Sequence, residues 1–230
     1  MTRRRIVVTG LGLVTPVGNT VAESWTNLVA GQSGIATVQR FDAQKHLSVH
    51  FAGEVKGFKI EDYIPAKEAR HMDAFIHFGI AAGLQAVRDA GLPEGEALTE
   101  EAAERIGVMI GSGIGGLPLI EQTQIEYAAR GARRISPFFV PASIINMISG
   151  HVSILCGYKG PNLAMVTACT TGLHSIGMAA RMIEYGDADV MIAGGAESTV
   201  SPLGMGGFAS ARALSTRNDD PATASRPWDK

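Results

Sequence analysis

Apolar positions recur at helical spacing most clearly between residues 72 and 91. There Phe75, Phe78, Gly79, Ala82 and Ala86 fall on one side of a helix that Gly91-Leu92-Pro93 closes. A second helix is predicted from a cap at Asn19 or Thr20 through Trp25 and Leu28 to Gly31, a third over 118–130 with Pro118 in its first turn, and a fourth over 170–185. Short continuous apolar runs predict strands at 6–9, 105–110, 163–167 and 188–193. Residues 41–67 are mixed, with a β-like piece at 51–55; the acidic stretch 93–104 reads as an exposed loop or short helix, and 133–150 as irregular and then helical. The last thirty residues carry Gly204-Met205-Gly206-Gly207 and then polar loop sequence. Strands alternate with helices, so the class is α/β with at least one parallel strand–helix–strand unit. Neither an internal repeat nor a Pro/Ser-rich linker divides the chain, and residues 1–230 read as one domain.

Composition adds exclusions. With 46% hydrophobic and 18% charged residues the chain is ordinary globular material that buries a sizeable core. A net charge of −2 gives no basic field for nucleic acid or a membrane surface. The start, with basic residues and only a short β-branched run before glycines, does not read as a secretory signal. The most apolar region, 138–148, is broken by Pro141, Ser143 and Asn146 and is too short to span a bilayer. Cys156 and Cys169 make neither a disulfide framework nor a metal-ligand spacing, which fits a reducing cytoplasm. The six histidines form no tight pair with them, so no metal site is expected.

Two stretches carry candidate chemistry. Gly111-Ser112-Gly113-Ile114-Gly115-Gly116 has the GxGxxG spacing between a strand and a helix. A dinucleotide site would also need an acidic residue at the end of the next strand; here Arg130, Arg133 and Arg134 follow instead, and turn or packing glycines are the better reading. Val166-Thr167-Ala168-Cys169-Thr170-Thr171-Gly172 runs from a β-branched strand through a small-residue turn into a helix. Cys169 is thereby placed at a helix N-terminus, where unpartnered N–H groups favour a thiolate. The alternative is a buried structural cysteine, and Cys156, beside Leu155 and Gly157 with no such turn, is given that role. His174, five residues further along, would lie about 140° around and about 7.5 Å up the helix. That places it on the core or the helix surface, not at the Cys169 sulfur.

The motifs together resemble those of a known family. Ile6-Val7-Val8-Thr9-Gly10-Leu11-Gly12 with Thr15-Pro16-Val17-Gly18 is similar to the start of elongating β-ketoacyl synthases. The glycine loop 111–116, Ser136-Pro137-Phe138-Phe139-Val140-Pro141, residues 167–172, Gly194-Gly195-Ala196-Glu197 and Arg212-Ala213-Leu214-Ser215 resemble the same family, most of all the synthase II type of bacterial fatty acid synthesis. The resemblance covers essentially the whole chain. It implies the N-terminal half of a thiolase-like layered fold, with a mixed sheet and packed helices. It implies that Cys169 takes an acyl group from acyl carrier protein as a thioester. Malonyl-carrier protein then loses CO₂ and its carbanion attacks that thioester, giving a 3-oxoacyl-carrier protein, with the Cys169 N–H as half of an oxyanion hole. No metal, nucleotide or other cofactor is implied, because the carrier protein brings its own phosphopantetheine arm. By motif, Ile114 resembles the gate of the acyl tunnel, and Phe208, in a Gly206-Gly207-Phe208 loop, the mobile aromatic beside the cysteine. Phe139 resembles a residue reaching across a homodimer interface to the partner's acyl pocket. Lys67, Arg70, Arg133, Arg134 and Arg212 match positions that face acidic carrier protein. For each of these the bland alternative is core packing or a solvated charge.

Members of the family are about twice as long, and this sequence stops within a segment that continues in them. Their two catalytic histidines, a supporting lysine and the second oxyanion N–H fall beyond residue 230. The expectation is that the 230-residue chain alone does not condense acyl groups and exposes a large apolar face that another copy or the remaining half covers. A polyketide ketosynthase shares many of these motifs and is the nearer alternative. A non-catalytic half that binds carrier protein or a complementary partner is the alternative from another class. A degradative thiolase or an initiating synthase differs around the cysteine, and a dead chain-length partner lacks it.

Overall fold

A computed structural model describes residues 4–229. Helix α1 (Val21–Val29) starts at Thr20, whose hydroxyl accepts from the Glu23 N–H. Strands β1 (Ala36–Thr37) and β2 (Phe51–Ala52) form a short antiparallel pair. The one-turn α2 (Ala66–Ala69) precedes α3 (Ala74–Asp89), which Asp73 caps by accepting from Phe75 N–H. Then follow α4 (Glu100–Arg105), β3 (Ile106–Gly111), α5 (Leu117–Arg130), α6 (Phe139–Ser143) and α7 (Met147–Cys156). The chain closes with β4 (Asn162–Leu163), α8 (Thr171–Tyr185), β5 (Val190–Gly195) and α9 (Pro202–Ser210).

The second sheet has the order β4-β3-β5, and both pairings are parallel. The expected mixture of parallel and antiparallel pairing is thus divided between two sheets rather than combined in one. β3 is buried along its whole length, as a central parallel strand must be. Its alternate side chains Ile106, Val108 and Ile110 join Phe75, Ile76, Ile80, Ile148 and Val152 of α3 and α7 in the main core. Each such side chain, fully buried, stabilises by about 1.5–3 kcal/mol. The other face of β3 meets α8, which returns the chain from β4 to β5. This face-by-face division is what alternation along a strand produces.

Three expectations change. Residues 6–9 pair with no strand among the described residues, and Val8 is 77% exposed. The residues that follow, 10–13, lie instead against α3, so closely that a Cβ at Gly12 would stand 1.9 Å from Ala82 O. Two of their N–H groups are taken by helix side chains: Leu11 donates to Asp89 Oδ2 and Leu13 to Gln85 Oε1. Strand β4 ends at Leu163 rather than 167, because the adjoining edge of β3 is bound by a side chain. The buried Ser149 hydroxyl accepts from Ile110 N–H at 2.8 Å and approaches Ile110 O and Leu163 O at 3.1 and 2.7 Å. Finally, the glycine-rich stretch near residue 205 is helix α9, not loop. Glycine is a poor helix former, but Ser201 caps the N-terminus by accepting from Gly204 N–H, and Pro202 opens the first turn.

At the other end of the sheet, Arg105 and Arg4 both donate to Asp189 just before β5. First Arg105 and then Arg4 hold its carboxyl well below the usual carboxylate range. The Arg105 guanidinium also closes the C-terminus of α8 by donating to Gly186 O. Among the described residues no helix is long and apolar enough to cross a membrane.

Candidate functional site

After β4 the chain runs extended to Thr167, makes one 3₁₀ turn over Ala168–Thr170 and enters α8. Three threonines hold that turn. Thr167 N–H donates to Thr171 Oγ1 at 2.9 Å, Thr171 Oγ1 donates to Ala168 O at 2.7 Å, and Thr170 Oγ1 donates to Thr167 O at 2.7 Å. Ala168 has φ +53°, a left-handed conformation costing about 1–3 kcal/mol for a residue with a Cβ. The strain turns the chain outward at the strand–helix corner and leaves Cys169 exposed. The turn seats close to the sheet because Gly111 carries no side chain. A Cβ at Gly111 would be 2.1 Å from Met165 O and 2.7 Å from Thr171 Cγ2.

His174 is exposed on α8, so of the core and surface positions left open for it the surface one is realised. Its Nδ1 is hydrogen-bonded to Thr167 Oγ1 at 2.7 Å, so it steadies the turn. Cys156 is buried at the end of α7, and burial pushes its thiol up to about 12. It stays protonated at neutral pH, and the structural role given to it holds.

The glycine loop 111–116 lies beside the cysteine turn: a Cβ at Gly113 would stand 3.1 Å from Ala168 O. Its N–H groups form a concavity of the kind that binds anions, and an internal carboxylate occupies it. Glu197, just beyond β5, accepts from Gly113 N–H at 2.9 Å and Ile114 N–H at 3.0 Å through Oε2, and from Ser112 Oγ at 2.9 Å through Oε1. Ser112 Oγ in turn accepts from Gly115 N–H at 3.0 Å. The acidic residue sought about twenty positions after the loop comes instead from the neighbouring strand end, 84 residues away from Gly113. Its carboxylate stands where a phosphate would have to bind, which is a physical reason the loop is not a nucleotide cradle. A cavity of ≈ 340 Å³ lies beyond Glu197, lined also by Arg40, Phe78 and Ser198, but Cys169 is not on its wall.

Ile114 is partly exposed on the loop that adjoins Cys169. Phe139 is half-buried at the start of α6, and Phe208 is exposed on α9, in a helix where a loop was expected. Both α6 and α9 pack on α5, the helix that the glycine loop begins. Lys67, Arg70, Arg133, Arg134 and Arg212 are exposed, and none is in a salt bridge among the described residues. Arg70 donates to His71, whose ring stacks on Phe138 at 3.9 Å, so α2 is tied to the segment following Arg133 and Arg134. Arg212, just past the Ala211 cap of α9, has φ +56°. Sequence reasoning gave no role to Glu197, Ser112 or the three threonines. The signal for Glu197 was an acidic residue directly after a strand adjacent to the glycine loop's own strand.

Comparison with known proteins identifies the pattern. The sequence profile described as β-ketoacyl synthase, N-terminal domain, matches residues 3–230. A Vibrio cholerae protein named 3-oxoacyl-(acyl-carrier-protein) synthase 2 is 60% identical over 230 residues, all of this chain and 54% of the relative. A Staphylococcus aureus protein of the same name is 49% identical over 225 residues, 98% of this chain and 53% of the relative. The chain therefore spans about half the length of the curated relatives it matches. Among solved structures, a β-ketoacyl synthase from Burkholderia phymatum superposes with a TM-score of 0.85 at 28% identity, covering 100% of this chain and 55% of that one. A type II polyketide ketosynthase, solved in complex with its acyl-carrier protein, gives 0.75 at 26% identity, covering 93% and 58%.

Proposed function

The chain belongs to the β-ketoacyl synthase family, and from that premise we propose that Cys169 is the acyl-accepting nucleophile of a 3-oxoacyl-carrier-protein synthase that elongates fatty acids. The observation that carries this reading is the exposed thiol at a strained strand–helix turn, while the second cysteine is buried and protonated. The Cys169 thiolate attacks the acyl thioester, the carrier's thiol leaves, and the acyl group is held on sulfur. The Cys169 N–H, in the turn that leads into α8, would donate to the charge that develops on the thioester oxygen. Malonyl-carrier protein then loses CO₂, its carbanion attacks the acyl carbonyl, and the Cys169 thiolate departs.

The acyl chain would pass Ile114, with Phe208 beside the cysteine and Phe139 contributing to a partner's pocket. Apolar lining suits an alkyl chain at about 0.8 kcal/mol per buried CH₂. Lys67, Arg70, Arg133, Arg134 and Arg212 would face acidic acyl carrier protein, whose phosphopantetheine arm is the only prosthetic group the reading requires. A homodimer in the cytoplasm completes it; Leu163 at the β4 edge and Leu173 and Ile176 on α8, apolar and exposed, support an assembled protein. The fatty-acid reading is preferred to the polyketide alternative because five relatives at 48–60% identity carry the name 3-oxoacyl-(acyl-carrier-protein) synthase 2.

Thiol alkylation tests the proposal. Iodoacetamide is expected to modify Cys169 at least about a hundredfold faster than Cys156, because Cys169 is exposed while burial hides the Cys156 thiol and keeps it protonated. Prior incubation with an acyl thioester should slow only the Cys169 reaction. Equal, sluggish rates at both sulfurs would mean that Cys169 is structural.

A further inference from the structure

We infer that Glu197 is a positioning residue that sets the acyl-length preference by holding Ile114 in place; this rests on the reading of Cys169 and Ile114 just proposed. The gate residue is anchored through its backbone: its N–H donates to Glu197 Oε2, and the same oxygen holds Gly113 N–H. The second oxygen holds Ser112 Oγ, which itself accepts from Gly115 N–H. One carboxylate, fixed at the end of β5, thus determines the path of four consecutive loop residues. Charge-assisted bonds of this kind are about twice as strong as neutral ones.

The loop has little freedom to settle otherwise. Gly113 abuts Glu197 on one side and Ala168 O on the other, with a hypothetical Cβ at 2.8 and 3.1 Å. On the far side, Gly115 (φ +74°) and Gly116 press against Ser143 and Ile145. Glu197 therefore fixes the gate beside the turn that carries the nucleophile, while its own bonds go to the loop. With the carboxylate removed, the loop loses its anchor and Ile114 moves into the acyl path. Long chains, which must pass the gate, suffer more than short chains, which do not. Glutamine retains one oxygen for the two N–H groups and can donate to Ser112 Oγ, so it preserves the loop.

The experiment measures loading of Cys169 by palmitoyl and hexanoyl thioesters in the intact protein, alongside its alkylation rate. Glu197→Ala is expected to lower palmitoyl loading about tenfold relative to hexanoyl, with alkylation unchanged; Glu197→Gln should keep the original ratio. Should Glu197→Ala not fold, Ser112→Ala reads the same ratio with a smaller shift in the same direction. Added to Ile114→Ala, the glutamate substitution should shift the ratio no further. A ratio that stays the same or rises, or a fall in alkylation that parallels loading, overturns the inference. Failure of the unsubstituted protein to load at all would instead overturn the reading of Cys169.

Discussion

Cys169→Ala is expected to abolish 3-oxoacyl-thioester formation by the intact protein, lowering kcat/KM by at least about a thousandfold. The residue is exposed, so its melting temperature should barely move. Cys156→Ala is the matching control: it removes a buried sulfur and should cost about 1 kcal/mol of stability while leaving turnover near the original. Steady-state assay of both variants, with thermal unfolding alongside, separates the two roles. Activity retained by Cys169→Ala would remove the nucleophile from the mechanism.

The largest effect on stability away from the site is expected at Ser149. Its hydroxyl serves the edge of β3 where β4 has already ended, binding Ile110 N–H and lying close to the Ile110 and Leu163 carbonyls. Ser149→Ala leaves the buried Ile110 N–H without a partner, at a cost of about 2–3 kcal/mol. Chemical denaturation should show a lower midpoint with an unchanged slope. An unchanged midpoint would mean that this edge of the sheet is satisfied in another way. Because the next strand residue, Gly111, packs against the segment leading to Cys169, loosening this edge should also slow acyl loading.

The sequence was most legible where local pattern and tertiary surroundings agree. The 3.6-residue period of α3, the proline that opens α5 and the uninterrupted apolar run of β3 each satisfy their own backbone, so position along the chain is enough. The β-branched run at 6–9 misled because extended backbone needs a ladder, and here Asp89 and Gln85 of α3 hold the segment that follows it. β4 stops short for a related reason: a serine on α7 replaces its next residues. Helix α9 hid behind glycines whose low propensity is offset by its cap and by the burial of Met205. At the site itself, the strand–turn–helix grammar around Cys169 was readable. The positive φ of Ala168 was not, since alanine gives no hint of it. Glu197 was visible as part of a motif but not as the occupant of the glycine loop. That pairing depends on β3 and β5 being neighbours, which only the sheet order shows.

The central claim, that this one sulfur accepts the acyl group, is tested most directly by locating the group. The protein is incubated with a palmitoyl thioester, digested, and the peptides bearing Cys156 and Cys169 are weighed. The account predicts a palmitoyl thioester on Cys169, removable by hydroxylamine, and an unmodified Cys156. A palmitoyl group on Cys156, or on neither cysteine, would contradict it.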